Sequence, residues 1–136
     1  MAKYILTYFI TLATFVAIDL VWLMWIARST YVAEMGTVLR KEPQLVAAFI
    51  FYFLYAAGLM YFAVAPALKL DSVTQGLMLG AVLGLVAYGT YDLTALSVIN
   101  GFNTKIAVID LIWGAALSGT SAAIAVAIAR KFWSWS

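Results

Sequence analysis

Apolar residues run along this chain in four long blocks, and the polar residues gather in the short breaks between them. Tyr4 to Ala27 carries one charge, Asp19; Gln44 to about Leu68 carries none. Val73 to Leu96 carries Asp92, and Thr104 to Ile128 carries Lys105 and Asp110. A bilayer core takes about 20 apolar residues in helical form, so each block predicts one transmembrane helix. The expected fold is all-α: an integral membrane bundle of four transmembrane helices, at about 4–27, 44–68, 73–96 and 104–128, in a single domain over 1–136. The first block is too long for a signal-peptide core and is followed by no small-residue cleavage pattern, so it reads as a retained helix.

The breaks carry start and stop signals. Pro43 suits the first turn of the second helix, where a missing N–H costs nothing, and Pro66 with Lys69 marks its exit. Ser72 followed three residues later by Gln75 is a capping box for the third helix, and Asn103 can cap the fourth. Ser29 to Glu42 is the one substantial connection, in which Tyr31, Val32, Met35, Val38 and Leu39 recur at three and four. That spacing fits a short amphipathic helix in the headgroup layer, and equally a plain connector whose apolar residues cover the end of the bundle.

Two stripes of small residues stand out at helical spacing. Gly76, Gly80, Gly84, Tyr88 and Asp92 follow one another at every fourth position, and so do Asp110, Gly114, Ser118 and Ala122. Small residues let helix backbones approach closely in lipid, so the third and fourth helices are expected to pack along these stripes.

Composition narrows the class. The chain is 66% hydrophobic and only 10% charged, with mean hydropathy +1.02, whereas charged residues make up about 25% of an ordinary soluble domain. It contains no cysteine and no histidine, which removes disulfides, thiolate nucleophiles, Fe–S clusters, the usual zinc sites and histidine-ligated haem; no cofactor and no metal site is identifiable. A formal charge of +2, dispersed along the chain, gives no sign of nucleic acid. Four spans put both termini on one side of the lipid bilayer. The basic residues tie, Lys3, Lys69, Arg130 and Lys131 against Arg28, Arg40, Lys41 and Lys105; the free amino terminus and the basic tail with Phe132, Trp133 and Trp135 tip the termini towards the cytoplasm.

The acids place a candidate site. Asp19 lies eight residues before Ala27, about 12 Å below the end of its helix at 1.5 Å per residue. Asp92 near the end of the third helix and Asp110 near the start of the fourth fall in the same leaflet, opposite the termini. Tyr52, Tyr55, Tyr88 and Tyr91 share that depth, and the pentapeptide Ile18-Asp19-Leu20-Val21-Trp22 is echoed by Ile109-Asp110-Leu111-Ile112-Trp113. An ionised carboxylate in hydrocarbon costs several kcal/mol unless it is paired or hydrogen-bonded. No Lys or Arg lies at this depth within a span, so at least one acid is expected to hold a proton or to await a cation. Asp19, Asp92 and Asp110, with Tyr52, Tyr55, Tyr88, Tyr91, Trp22 and Trp113, form the expected carboxylate–aromatic site. A purely structural role, with the acids tied to Tyr and Trp donors to set helix register, stands beside that reading.

The blocks Asp19-Leu20-Val21-Trp22, Phe62-Ala63-Val64-Ala65-Pro66-Ala67-Leu68, Ala87-Tyr88-Gly89-Thr90-Tyr91-Asp92-Leu93-Thr94 and Asp110 with Trp113-Gly114 resemble the small bacterial membrane proteins grouped as domain-of-unknown-function family 2177. The resemblance covers nearly the whole chain and implies a four-helix protein of the bacterial inner (cytoplasmic) membrane, with no activity attached. The chain departs from that pattern at Ala95, where an amide is usual, and at Asn100-Gly101-Phe102, where a Trp-Pro pair is usual.

Three functions fit the residues. A small-molecule, cation or proton binding or transport protein would use the acid layer and needs a water-accessible pocket between the first, third and fourth helices. An accessory subunit of a larger membrane complex, or a homo-oligomer, would use the outer aromatic and small-residue faces. An enzyme acting on lipid has least support, because there is no histidine, no nucleophile motif and no Gly-rich phosphate loop.

Overall fold

The computed structural model describes residues 2–26 and 45–134. The amphipathic segment expected at Ser29 to Glu42, with Arg28, Arg40 and Lys41, lies outside the described residues. Within them are four helices long and apolar enough to cross a membrane. Helix α1 (Ala2–Val21) continues through a π-helical turn, Trp22–Ile26. Helix α2 spans Leu45–Lys69, α3 Val73–Val98 and α4 Thr104–Phe132.

Local chemistry sets the helix ends. Ser72 Oγ accepts from the Gln75 N–H at 3.1 Å and opens α3, and Asn103 Oδ1 accepts from the Ile106 N–H at 2.9 Å and opens α4. Each supplies one acceptor to N–H groups that have no partner inside the helix. Between α2 and α3 the chain reverses in three residues. The Ser72 N–H reaches the Ala67 carbonyl and the Asp71 N–H the Leu68 carbonyl, with Asp71 in the left-handed region at φ 49°. This is a Schellman closure, with an aspartate at the position glycine usually takes. Arg130 stands 3.7 Å from the Asp71 carboxylate, a solvent-facing pair that adds little stability.

Helix α2 changes winding partway along. Met60–Val64 is π-helical, and the Ala65 N–H returns to the Met60 carbonyl. The cause lies one residue on, because Pro66 has no N–H for the carbonyl one turn back and the ladder resettles ahead of it.

Among the described residues, helices α3 and α4 make the closest pair. A methyl group built on Gly84 would strike the Gly114 carbonyl and come within 2.6 Å of Ser118 Oγ; on Gly80 it would lie 2.6 Å from the Ser118 carbonyl and 2.9 Å from the Ala122 methyl. Gly76 faces Val126 and Ala122 in the same way, and Gly114 faces the Tyr88 ring. The glycines bring the two backbones together, which in lipid gains dispersion contacts that larger side chains would prevent.

Helix α1 packs against α4 and against the first half of α2, Leu45–Leu59. The second half of α2, Met60–Lys69, packs on α3 and α4. Helices α2 and α3 are therefore joined at the Asp71 turn and diverge towards their other ends, leaving a wedge on the side that carries the acids. Phe15, Tyr55, Leu59 and Leu117 fill its inner part as core. At the opposite end of the bundle, Lys3 Nζ donates to the Ser134 carbonyl at 2.9 Å and holds the two ends of the chain together.

Candidate functional site

Asp19 is a satisfied acid. It is 7% exposed, its Oδ2 accepts from the Tyr52 hydroxyl at 2.7 Å, and its Oδ1 accepts from Trp113 Nε1 at 3.1 Å. One carboxyl thus ties α1 to α2 and to α4. Charge-assisted bonds of this kind are about twice as strong as neutral ones. The Trp22 and Trp113 rings stack with centroids 4.3 Å apart and planes 10° from parallel. The two echoed pentapeptides therefore meet, Asp19 and Trp22 from one against Trp113 from the other.

Asp92 differs. It has no exposed surface, and neither carboxyl oxygen has a hydrogen-bond donor among the described residues. Its polar neighbour is the carboxyl of Asp110, close enough for the two charges to interact. Asp110 is half-buried and is close enough to Asp19 for their charges to interact. Tyr88 stands among all of these groups, within electrostatic range of Asp19, Asp110, Tyr52 and Tyr55.

Tyrosines fill the wedge between α2 and the α3–α4 pair. The Tyr55 hydroxyl and Ser118 Oγ lie 2.8 Å apart in a buried hydrogen bond, and the Tyr55 and Tyr88 rings meet edge to face at 6.0 Å. Ser118 thus belongs both to the packing stripe and to the polar layer. At the outer edge a cleft of about 150 Å³ is lined by Phe51, Ala87, Tyr88, Tyr91 and Asp110. Tyr91 is 59% exposed and borders this cleft, its ring edge-on to Phe102. A larger, apolar groove lies between α1 and α2, lined by Phe9, Val16, Phe49 and Phe53 among others.

The cleft at Asp110 differs in its walls from the pocket expected between the first, third and fourth helices. Helix α1 spends Asp19 on Tyr52 and Trp113, and the cleft opens instead between α2, α3 and α4. Phe51 was not among the expected site residues. A signal for it exists, because Phe51 and Tyr55 are four apart and share a helix face; their rings stack at 5.5 Å. Two buried polar groups remain without a partner among the described residues, Trp22 Nε1 and Ser121 Oγ. No three acidic side chains among the described residues lie close enough together to hold a metal ion.

A family model described as "Predicted membrane protein (DUF2177)" matches residues 4–127. No curated protein matches the chain, and no solved structure does.

Proposed function

The chain belongs to the DUF2177 family of predicted membrane proteins, and we propose that this multi-pass membrane protein binds and exchanges a proton or a small monovalent cation at the Asp92–Asp110 pair. The observation that carries this reading is the state of Asp92, fully buried and without a donor to either oxygen among the described residues. A carboxyl placed to set helix register has donors, as Asp19 has. Leaving a buried polar group unsatisfied costs about 1–3 kcal/mol, and more if it is charged. Such a cost is characteristic of sites where a proton or ligand completes the group.

The acids divide the work. Asp19 is the fixed member, held by Tyr52 and Trp113, and braces three helices around the pair. Asp92 and Asp110 come from opposite ends of the short α3–α4 connection, and their charges disfavour joint ionisation in a medium of low dielectric. One proton held between them is the proton that the pair would exchange. Asp110 at the cleft is the point of access. The basic residues Lys3, Lys69, Arg130 and Lys131 all belong to the opposite end of the bundle. Four basic residues at each end leave the count level, and the amino terminus and the basic aromatic tail favour termini in the cytoplasm of a bacterial inner membrane, with the acid layer towards the other face.

Proteoliposomes carrying an imposed pH gradient test the reading. The gradient should collapse faster with the wild-type chain than with Asp92→Asn or Asp110→Asn. Equal rates for wild type, both variants and protein-free vesicles contradict it.

A further inference from the structure

We infer that the end of the bundle opposite the acid layer seats the headgroup of an anionic phospholipid, held by Lys69, Arg130 and Lys131. Basic residues are level between the two ends of the molecule, but acids are not. Asp19, Asp92 and Asp110 make the acid layer, and Glu34 and Glu42 lie in the sequence linking α1 to α2, whose attachment points Ile26 and Leu45 are both at the acid end. Asp71 is the one remaining acid of the chain. Lys3, Lys69, Arg130 and Lys131 therefore stand against a single carboxylate, and the neighbouring Met1, Trp135 and Ser136 have no charged side chain to alter that balance.

Two contacts gather these cations. Arg130 Nη1 donates to the Asp71 carbonyl at 3.4 Å and stands 3.7 Å from the Asp71 carboxylate, which fastens the end of α4 to the turn that follows Lys69. Lys3 Nζ donates to the Ser134 carbonyl, which brings the start of α1 to the same place. Asp71 offsets one guanidinium, and the side chains of Lys69, Arg130 and Lys131 are all exposed. Helix ends do not absorb the excess, because two N-termini and two C-termini meet here and their partial charges cancel. Leu70 and Phe132, 64% and 69% exposed, each follow a lysine directly in the chain. An apolar side chain in lipid beside an ammonium group that reaches outward sets this surface at headgroup level.

Charge complementarity selects the occupant. Phosphatidylglycerol presents a phosphate and no cation, whereas phosphatidylcholine presents an ammonium group that lysine and arginine repel. Arginine takes a phosphate through paired N–H donors and lysine as a point charge. Each cation near an anionic membrane surface is worth about fivefold in binding, so two or three acting together discriminate strongly between the two lipids. A soluble anion shares the phosphate chemistry but gains nothing from Leu70 and Phe132, which favours the lipid.

The test uses the full chain in detergent, exchanged against equal amounts of phosphatidylglycerol and phosphatidylcholine with matched acyl chains. Native mass spectrometry then reads which lipid stays bound. Phosphatidylglycerol should be retained at least about tenfold over phosphatidylcholine, and the preference should shrink as salt screens the cations. The double variant Lys69→Gln with Lys131→Gln, at exposed positions whose change spares the fold, should lose about tenfold of that preference. Lys105→Gln, at the opposite end, should keep it. Sodium phosphate, compared with sodium chloride at equal ionic strength, separates a soluble anion from the lipid and should displace no more phosphatidylglycerol than chloride does. Equal retention of the two lipids in the wild type overturns the inference. So does a preference that the double variant keeps in full, one that Lys105→Gln reduces as much, or a specific displacement by phosphate.

Discussion

Trp113 donates its indole N–H to the Asp19 carboxylate at 3.1 Å, so α4 and α1 are joined through the two residues that the echoed pentapeptides place out of step, the acid of one and the indole of the other. Asp19 has two donors where Asp92 has none among the described residues, and on the proposed function that contrast separates a bracing acid from a working one. Removing a donor from a buried carboxylate should destabilise more than neutralising the carboxylate, because the charge would stay behind with fewer partners. Trp113→Phe and Tyr52→Phe should each cost about 1.5–3 kcal/mol, and Asp19→Asn should cost less than either. Thermal unfolding in detergent, followed by circular dichroism, reads all three; an Asp19→Asn variant less stable than both donor variants would contradict the bracing role.

Glycine substitutions should separate the seam from the lipid face. Gly84→Leu drives a side chain into the Gly114 carbonyl and Ser118 and should cost about 1–3 kcal/mol. Gly58 has nothing within 4 Å of a built methyl group, so Gly58→Ala should be neutral or should stabilise the helix by up to about 1 kcal/mol. If both variants unfold at the wild-type temperature, α3 and α4 are not held together along this stripe.

The four spans were legible because a bilayer core demands long apolar runs, and nothing else in a chain of this length produces them. The caps at Ser72 and Asn103 were legible for a similar reason, since each is a local bond between near neighbours. What periodicity hides is the choice of partner. Helix α2 is apolar almost all round, so its pattern does not say that its first half stays beside α1 and its second half lies on α3. The π-helical turn at Trp22–Ile26 shifts the face of its helix with no residue that announces it, and the one at Met60–Val64 is announced only by Pro66. The sequence therefore shows where the acids lie in depth. It does not show that Tyr52 and Trp113 would both turn to Asp19, nor that Phe51 would border the opening.

Topology can be checked by labelling, because the chain has no cysteine. Single cysteines at Asn100 and Ser136, treated with an impermeant thiol reagent in sealed vesicles, should react from opposite sides. Reaction of both from the same side would be incompatible with four crossings.

A stability test sharpens the role of Asp92. An unsatisfied buried acid weakens the fold that holds it, so Asp92→Val should leave thermal stability unchanged or raise it by up to about 2 kcal/mol, while removing proton exchange in proteoliposomes. A large loss of stability would mean that Asp92 serves the fold.

The most direct test is the proton itself. Infrared difference spectra of the carboxylic C=O stretch, recorded across a pH titration of the reconstituted chain, should show a protonated-acid band near neutral pH that disappears in alkali. Asp92→Asn and Asp110→Asn should each remove that band, because the two residues share it, and Asp19→Asn should leave it in place. Absence of the band at neutral pH in the wild type, or its survival in both the Asp92 and Asp110 variants, would contradict the account.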